Sequence, residues 1–122
     1  MNTEMQWHPI KEEFYKPWRR VFNNDWNGAD IEGICLICGS HSLRRWYKLD
    51  EKLPKRLRGV SFAGPGRLWE WCSNCYTFET FLNGYVPNWW EEPYSVDECE
   101  LRYDPGSIEK ARKRARPHRE TR

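Results

Sequence analysis

Two Cys-x-x-Cys pairs, Cys35-Leu36-Ile37-Cys38 and Cys72-Ser73-Asn74-Cys75, constrain this chain more than any other feature. The two-residue gap lets both sulfurs of a pair turn toward one ion, and two such pairs supply the four thiolates of a closed tetrahedral Zn²⁺ site. Gly39 follows the first pair, where the tight turn calls for a residue tolerant of positive φ. The expected ligands are therefore Cys35, Cys38, Cys72 and Cys75, holding one structural zinc ion with no coordination position left for substrate. His41, three residues beyond Cys38, is read as a donor behind the ligands or a surface residue. The fifth cysteine, Cys99, alternates with Leu101 and Tyr103 and is expected to be a small buried hydrophobe on a strand.

A metal anchor matters because aliphatic material is scarce. The mean hydropathy is −0.97. Charged residues make up 31% of the 122 positions, and the bulk comes from eight Trp, six Tyr and five Phe. Each such ring buries about 150–250 Å², so a few clustered on a metal-pinned sheet can close a small core. Structural zinc contributes about 10–16 kcal/mol in finger peptides, comparable to the stability of a whole domain. The metal-free chain is accordingly expected to be unfolded in its centre.

Along the chain, Pro9 is expected to open a short helix that Pro17 restarts, with Phe14, Trp18 and Phe22 forming an i, i+4, i+8 stripe. Residues 43–49 alternate as a strand. Residues 50–66, punctuated by Pro54, Gly59, Gly64, Pro65 and Gly66, read as an inserted basic loop. Arg67–Trp71 and Tyr76–Leu82 read as strands on either side of the second pair, and Asn83-Gly84 as a turn. Ser107 is expected to cap a fraying helix from Ile108 to Arg116. The result is a small β-rich α+β fold. It comprises an aromatic N-terminal arm (1–33), a zinc-ribbon body with a three-stranded antiparallel sheet (34–104) and a basic C-terminal helix or tail (105–122).

The net charge of +2 conceals segregation. Residues 44–67 carry eight basic and two acidic groups, and residues 68–104 carry one basic and eight acidic groups. Lys52, Lys55, Arg56 and Arg58 could track a phosphate backbone, with Trp46, Tyr47 and Phe62 able to stack on bases. Trp89-Trp90-Glu91-Glu92 combines interface-type anchors with an acidic rim suited to a basic protein partner. No His-Glu-x-x-His, nucleophile elbow or phosphate-loop ending occurs, and no enzymatic activity is expected. The apolar runs are too short to span a bilayer, the opening residues do not form a secretion signal, and paired cysteines of this kind fit a reducing cytoplasm.

The cysteine pairs with their aromatic flank Trp69-Glu70-Trp71 resemble a zinc ribbon. More narrowly, Gly66-Arg67-Leu68-Trp69 through Cys75, followed by Gly84-Tyr85-Val86-Pro87-Asn88-Trp89-Trp90, is similar to small bacterial zinc-ribbon proteins associated with immunity in polymorphic toxin systems. That resemblance implies a cytoplasmic protein that binds and blocks one cognate toxin domain. It transfers the four cysteines and no partner-facing residue. The competing expectation is a nucleic-acid-binding or transcription-associated ribbon.

Overall fold

The computed structural model describes residues 6–115. It is a small α+β structure with an open mixed sheet, not the expected three strands. Strands β1 (His8–Pro9), β2 (Asp30–Ile31), β3 (Leu43–Leu49), β4 (Lys55–Leu57), β5 (Val60–Cys72) and β6 (Thr77–Pro87) are joined by helices α1 (Tyr15–Asn24) and α2 (Gly106–Ala115). The sheet order is β1-β6-β5-β3-β2, with β4 paired to β5; β1 runs parallel to β6 and the other pairs are antiparallel. Pro9 therefore belongs to an edge strand rather than opening a helix, a position where its missing N–H is tolerated.

The stretch read as a loop from 50 to 66 is mostly strand. Arg58 (φ 51°) and Gly59 (φ 82°) turn β4 into β5, the two-residue hairpin in which both central residues take positive φ. The Gly-Pro-Gly run that looked like a turn serves close approach instead. A Cβ on Gly66 would lie 2.2 Å from the Lys48 carbonyl oxygen, so only glycine lets β3 pair there. Pro65 pairs with Tyr85 of β6, between two register shifts that fall on either side of it, at Phe62/Gly64 and Gly66/Leu68. Asn83-Gly84 makes no turn; β6 runs through it.

Alternation along the strands gives the sheet two covered faces. On one, Leu43 of β3 and Cys72 of β5 meet Trp18 and Phe22 of α1, together with Ile10 and Ile31. The stripe read from the sequence is thus real, with Phe14 packed at its margin. On the other face, Trp46, Trp69, Trp71 and Phe78 meet Ile108 of α2. The second face is also covered by the segment after β6, which contributes Trp90, Tyr94, Val96 and Leu101.

Four expectations about the C-terminal third fail. Residues 98–103 do not form a strand: Glu98–Glu100 is a 3₁₀ turn, capped by the Asp97 carboxylate accepting the Cys99 N–H at 3.0 Å. Cys99 is exposed, not buried, because that turn replaces period-two alternation. Nor is α2 a fraying helix. Ile108 and Glu109 are fully buried and Ala111 nearly so. Asp104, rather than Ser107, accepts the Gly106 N–H at the helix start, at 2.8 Å. Residues 116–122 of the expected tail lie outside the described residues.

Glu109 explains why α2 is held. Its Oε1 accepts from the Trp71 indole and the Ser73 hydroxyl, each at 2.8 Å, and Arg112 donates to both carboxylate oxygens at 2.9 and 3.2 Å. Burial alone would raise its pKa, but the hydrogen bonds from Arg112, Trp71 and Ser73 prevail and hold it below the usual carboxylate range. No helix among the described residues is long and apolar enough to cross a membrane. Replacing Glu109 by Leu orphans two buried donors and strips Arg112 of its partner. The expected cost is about 3–5 kcal/mol, measurable by urea unfolding of the metal-loaded protein, whereas Lys113→Ala on the exposed side of α2 should change stability little.

Candidate metal centre and its surroundings

The two cysteine pairs occupy matching turns. In the first, the Gly39 N–H donates to the Cys35 carbonyl at 2.7 Å; in the second, the Tyr76 N–H donates to the Cys72 carbonyl at 3.0 Å. The residue after each second cysteine is left-handed, Gly39 at φ 79° and Tyr76 at φ 64°. The sequence shows this need at Gly39 but hides it at Tyr76, where a bulky residue bears backbone strain. Trp7 offsets part of it by packing edge-on against the Tyr76 ring, with centroids 5.1 Å apart. Two further bonds join the turns to the sheet: Cys35 N–H to the Ser40 carbonyl at 2.9 Å and Ser73 N–H to the Ser42 carbonyl at 2.8 Å.

These turns bring all four sulfurs within 4.8 Å of one another, so one metal ion can be reached by all. Cys35 and Cys75 sulfurs are 3.8 Å apart, and those of Cys38 and Cys72 are 3.6 Å apart. Donors surround them. Asn74 gives its backbone N–H to Cys72 at 3.4 Å and its side-chain amide to Cys38 at 3.3 Å. The Ser40 hydroxyl lies 3.1 Å from Cys38, and the Cys75 thiol in turn donates to the Thr77 hydroxyl at 3.2 Å. Such donors steady thiolates and orient ligands. The hydrogen bond between Cys35 and Cys72 pulls the Cys72 thiol well below its ordinary range despite burial, and the same bond together with burial pushes Cys35 up. His41 stands aside: it is exposed, with Nδ1 3.1 Å from the Glu32 carbonyl oxygen.

The expected partner residues split by exposure. Trp89 and Trp90 are half-buried, while Glu91 and Glu92 are exposed. Trp89 packs against Trp26 and Tyr47 on the α1 face, and Trp90 against Trp46 on the α2 face. The indoles therefore fasten the chain to both faces of β3 rather than standing free. Lys52, Lys55, Arg56 and Arg58 are all exposed on and beside the β4–β5 hairpin. Sequence reading brought neither group to the sulfur cluster, and the structure does not either.

A feature the sequence reading missed lies beneath α1. Arg45, Glu70 and Glu79 face one another across β3, β5 and β6, and all three are buried. Arg45 donates to the carbonyls of Phe22, Asp25 and Gly28, capping the end of α1 and the turn beyond. Arg19 forms a two-bond ion pair with Glu79. Among the described residues Glu70 receives only the Trp18 indole N–H, at 3.2 Å. Burial and the adjacent Glu79 push its pKa up to about 8, against the opposing pull of Arg45. The strand alternation at Trp69-Glu70-Trp71 was the available signal: with both tryptophans on one face, Glu70 must point to the other.

No family model matches the chain, and neither curated proteins nor solved structures show a match to it.

Two outcomes follow from this geometry. Native mass spectrometry should find one metal ion per chain, and Cys72→Ser or a strong chelator should remove it and abolish the cooperative thermal transition. Glu70 has a raised pKa in the folded state, so its contribution favours folding below pH ~4.5 and is lost as pH rises through about 8. Between pH 6 and 8 the wild type should therefore lose stability relative to Glu70→Gln, as read from chemical denaturation at fixed metal loading.

Proposed function

We propose that the chain is a non-enzymatic zinc-ribbon module that acts as an immunity protein, binding a cognate toxin domain and occluding its cleft. Zinc is the favoured ion because an all-thiolate closed set suits it. Sulfurs at about 2.3 Å in a tetrahedron stand about 3.8 Å apart, close to the 3.6 and 3.8 Å separations of the cluster. Its role is structural, since four protein ligands leave no position for substrate.

The observation that carries the partner reading is the strap after β6. Trp90, Tyr94, Val96 and Leu101 turn inward onto the sheet, while Glu91, Glu92, Asp97, Glu98 and Glu100 are exposed. Glu98 pairs with Lys48 at 2.7 Å; the other four have no ion-pair partner among the described residues. Carboxylates on a strap nailed down by aromatic side chains form an acidic surface that loses little entropy on binding. Such a surface fits a basic cleft, steers it by charge and blocks it without performing chemistry. Trp89 and Trp90 support the reading as props rather than as the contact itself.

A second reading, nucleic-acid binding, draws on the β4–β5 hairpin. All of β4 is exposed, and the Lys55 ammonium lies 5.3 Å above the Tyr85 ring, so cations and aromatics adjoin there.

The readings separate by charge exchange. Co-expression with the toxin domain encoded next to this chain should give a one-to-one complex, weakened about tenfold or more (~1.4 kcal/mol) by Glu91→Lys with Glu92→Lys. Wild-type affinity should fall with salt. A complex indifferent to that exchange sinks the strap as the contact surface. Retention of RNA or DNA that disappears in Lys55→Ala/Arg56→Ala/Arg58→Ala selects the second reading.

A further inference from the structure

The β4–β5 hairpin projects into solvent: every residue from 50 to 61 is exposed. It is nonetheless fixed at its base. The Leu53 N–H donates to the Ala63 carbonyl at 3.0 Å, and the Asn88 N–H to the Ser61 carbonyl at 3.0 Å. Gly64 lets the incoming chain lie against β5, since a Cβ there would stand 2.1 Å from the Glu51 carbonyl oxygen.

The two faces of this projection differ. Register places Leu57 opposite Val60 and Lys55 opposite Phe62, so these four side chains share one face. Tyr85 of β6 extends it, with its ring 5.6 Å from that of Phe62 and the Lys55 ammonium 5.3 Å above it. Arg56 and Ser61 take the other face, joined at 3.3 Å. Leu57 at 38%, Val60 at 37% and Tyr85 at 41% exposure lack cover, as does Leu53 at 52%. Scattered singly, such residues mean little. Gathered on one fixed hairpin, they mark a contact surface.

Charge selects the partner. Residues 52–60 carry Lys52, Lys55, Arg56 and Arg58 and no acid. None of the four has an ion-pair partner among the described residues. A second copy related by a two-fold axis through this face would set four cations against four. A nucleic acid would neutralise the cations, but its charged backbone gives Leu57 and Val60 little apolar surface. A neutral bilayer would take the apolar side chains and leave the cations without counter-charge. An anionic bilayer surface satisfies both sets, with phosphates at headgroup level and the acyl boundary just beneath. Tyrosine is favoured at that depth, and lysine and arginine can reach back from it to the phosphates.

We propose that the β4–β5 hairpin docks the chain onto an anionic membrane surface, tip first. Leu57 and Val60 enter the headgroup–acyl boundary, and Lys52, Lys55, Arg56 and Arg58 engage lipid phosphates. The attachment is peripheral. It competes with nucleic-acid binding for the same hairpin and does not use the acidic strap.

Co-sedimentation of the full metal-loaded chain with vesicles tests this, using equal parts phosphatidylglycerol and phosphatidylcholine, and phosphatidylcholine alone. The expected result is saturable binding to the anionic vesicles, absent on phosphatidylcholine and falling as salt rises. Lys55→Ala and Arg56→Ala should each weaken it about fivefold, the scale of one basic residue at such a surface. Leu57→Ser/Val60→Ser keeps every charge and should weaken it about tenfold or more, through lost apolar burial. These side chains are exposed, so the variants should fold, which circular dichroism and metal content check. Lys113→Ala/Arg114→Ala on α2 removes as much charge as Lys55→Ala/Arg56→Ala and should matter far less. Equal loss from the two charge pairs, or undiminished binding by Leu57→Ser/Val60→Ser, shows only general attraction of cations to anions and overturns the proposal. So does the absence of binding to anionic vesicles. In that case fluorescence anisotropy with labelled RNA and DNA, and sedimentation of the chain alone, show whether the hairpin serves a nucleic acid or a second copy. Leu57→Ser/Val60→Ser should leave the toxin complex intact, so hairpin and strap stand or fall separately.

Discussion

The sulfur cluster fastens the turn of the longest hairpin to the chain entering the strand beside it. Cys72 ends β5 and Cys75 lies just before β6, while Cys35 and Cys38 lie between β2 and β3. An ion shared by the four would close the loop from the first turn to the second, next to the row in which Leu43 pairs with Cys72. Every later row of the β3–β5 ladder counts from that pair. The Arg45–Glu70 and Trp46–Trp69 rows, one on each face, inherit their positions from it. A one-residue slip would exchange the two faces, placing charges among the tryptophans. Cysteine cluster and register are thus one constraint, and the two cores are laid out from it.

Those cores handle polar groups in the same way with opposite results. Each buries a carboxylate next to an indole N–H: Glu109 beside Trp71 and Glu70 beside Trp18. At Trp71 and Trp18 glutamate supplies the acceptor for a sealed indole donor; Trp69 uses the Arg102 carbonyl instead. Glu109 has its own arginine and stays charged. Glu70 shares its surroundings with Glu79, which takes Arg19, while Arg45 is occupied by backbone carbonyls. With two carboxylates adjacent and one guanidinium committed, protonating one is the cheaper solution. The same logic leaves Glu70 with a raised pKa and the Trp18 indole as its donor.

What the sequence disclosed was local. The two-residue cysteine spacing, the Phe14–Trp18–Phe22 stripe and the alternation over 43–49 each rest on contacts within a few residues, and each is found in the structure. What stayed hidden depends on distant partners. Gly64-Pro65-Gly66 looks like a turn until β3 approaches within van der Waals contact of Gly66. Tyr76 adopts a glycine-like φ beside Trp7, far earlier in the chain. Glu109 looks like a solvated helix residue until Trp71 and Ser73 reach it across more than thirty residues. Cys99 misled because alternation over three residues does not distinguish a strand from an irregular segment whose side chains point either way.

The charge segregation visible along the chain survives folding, and this need not have been so. Oppositely charged segments adjacent in sequence could have neutralised each other in space. Instead, the ion pair that links the basic stretch to the acidic strap among the described residues is Lys48–Glu98. Arg67 pairs with Asp50 of its own stretch, and Arg44 with Asp30. Lys52, Arg56 and Arg58 on one side, and Glu91, Glu92 and Glu100 on the other, are exposed and have no ion-pair partner among the described residues. At physiological salt, fields from such groups extend about 8 Å before screening, enough to orient an approaching partner but not to bind it. Tight binding must then come from what lies beneath a patch, and under the carboxylates that is a strap whose aromatic side chains pack onto the sheet. The same β5 strand carries the basic hairpin, so one ladder, counted from the Leu43–Cys72 pair, holds both signs of charge in place.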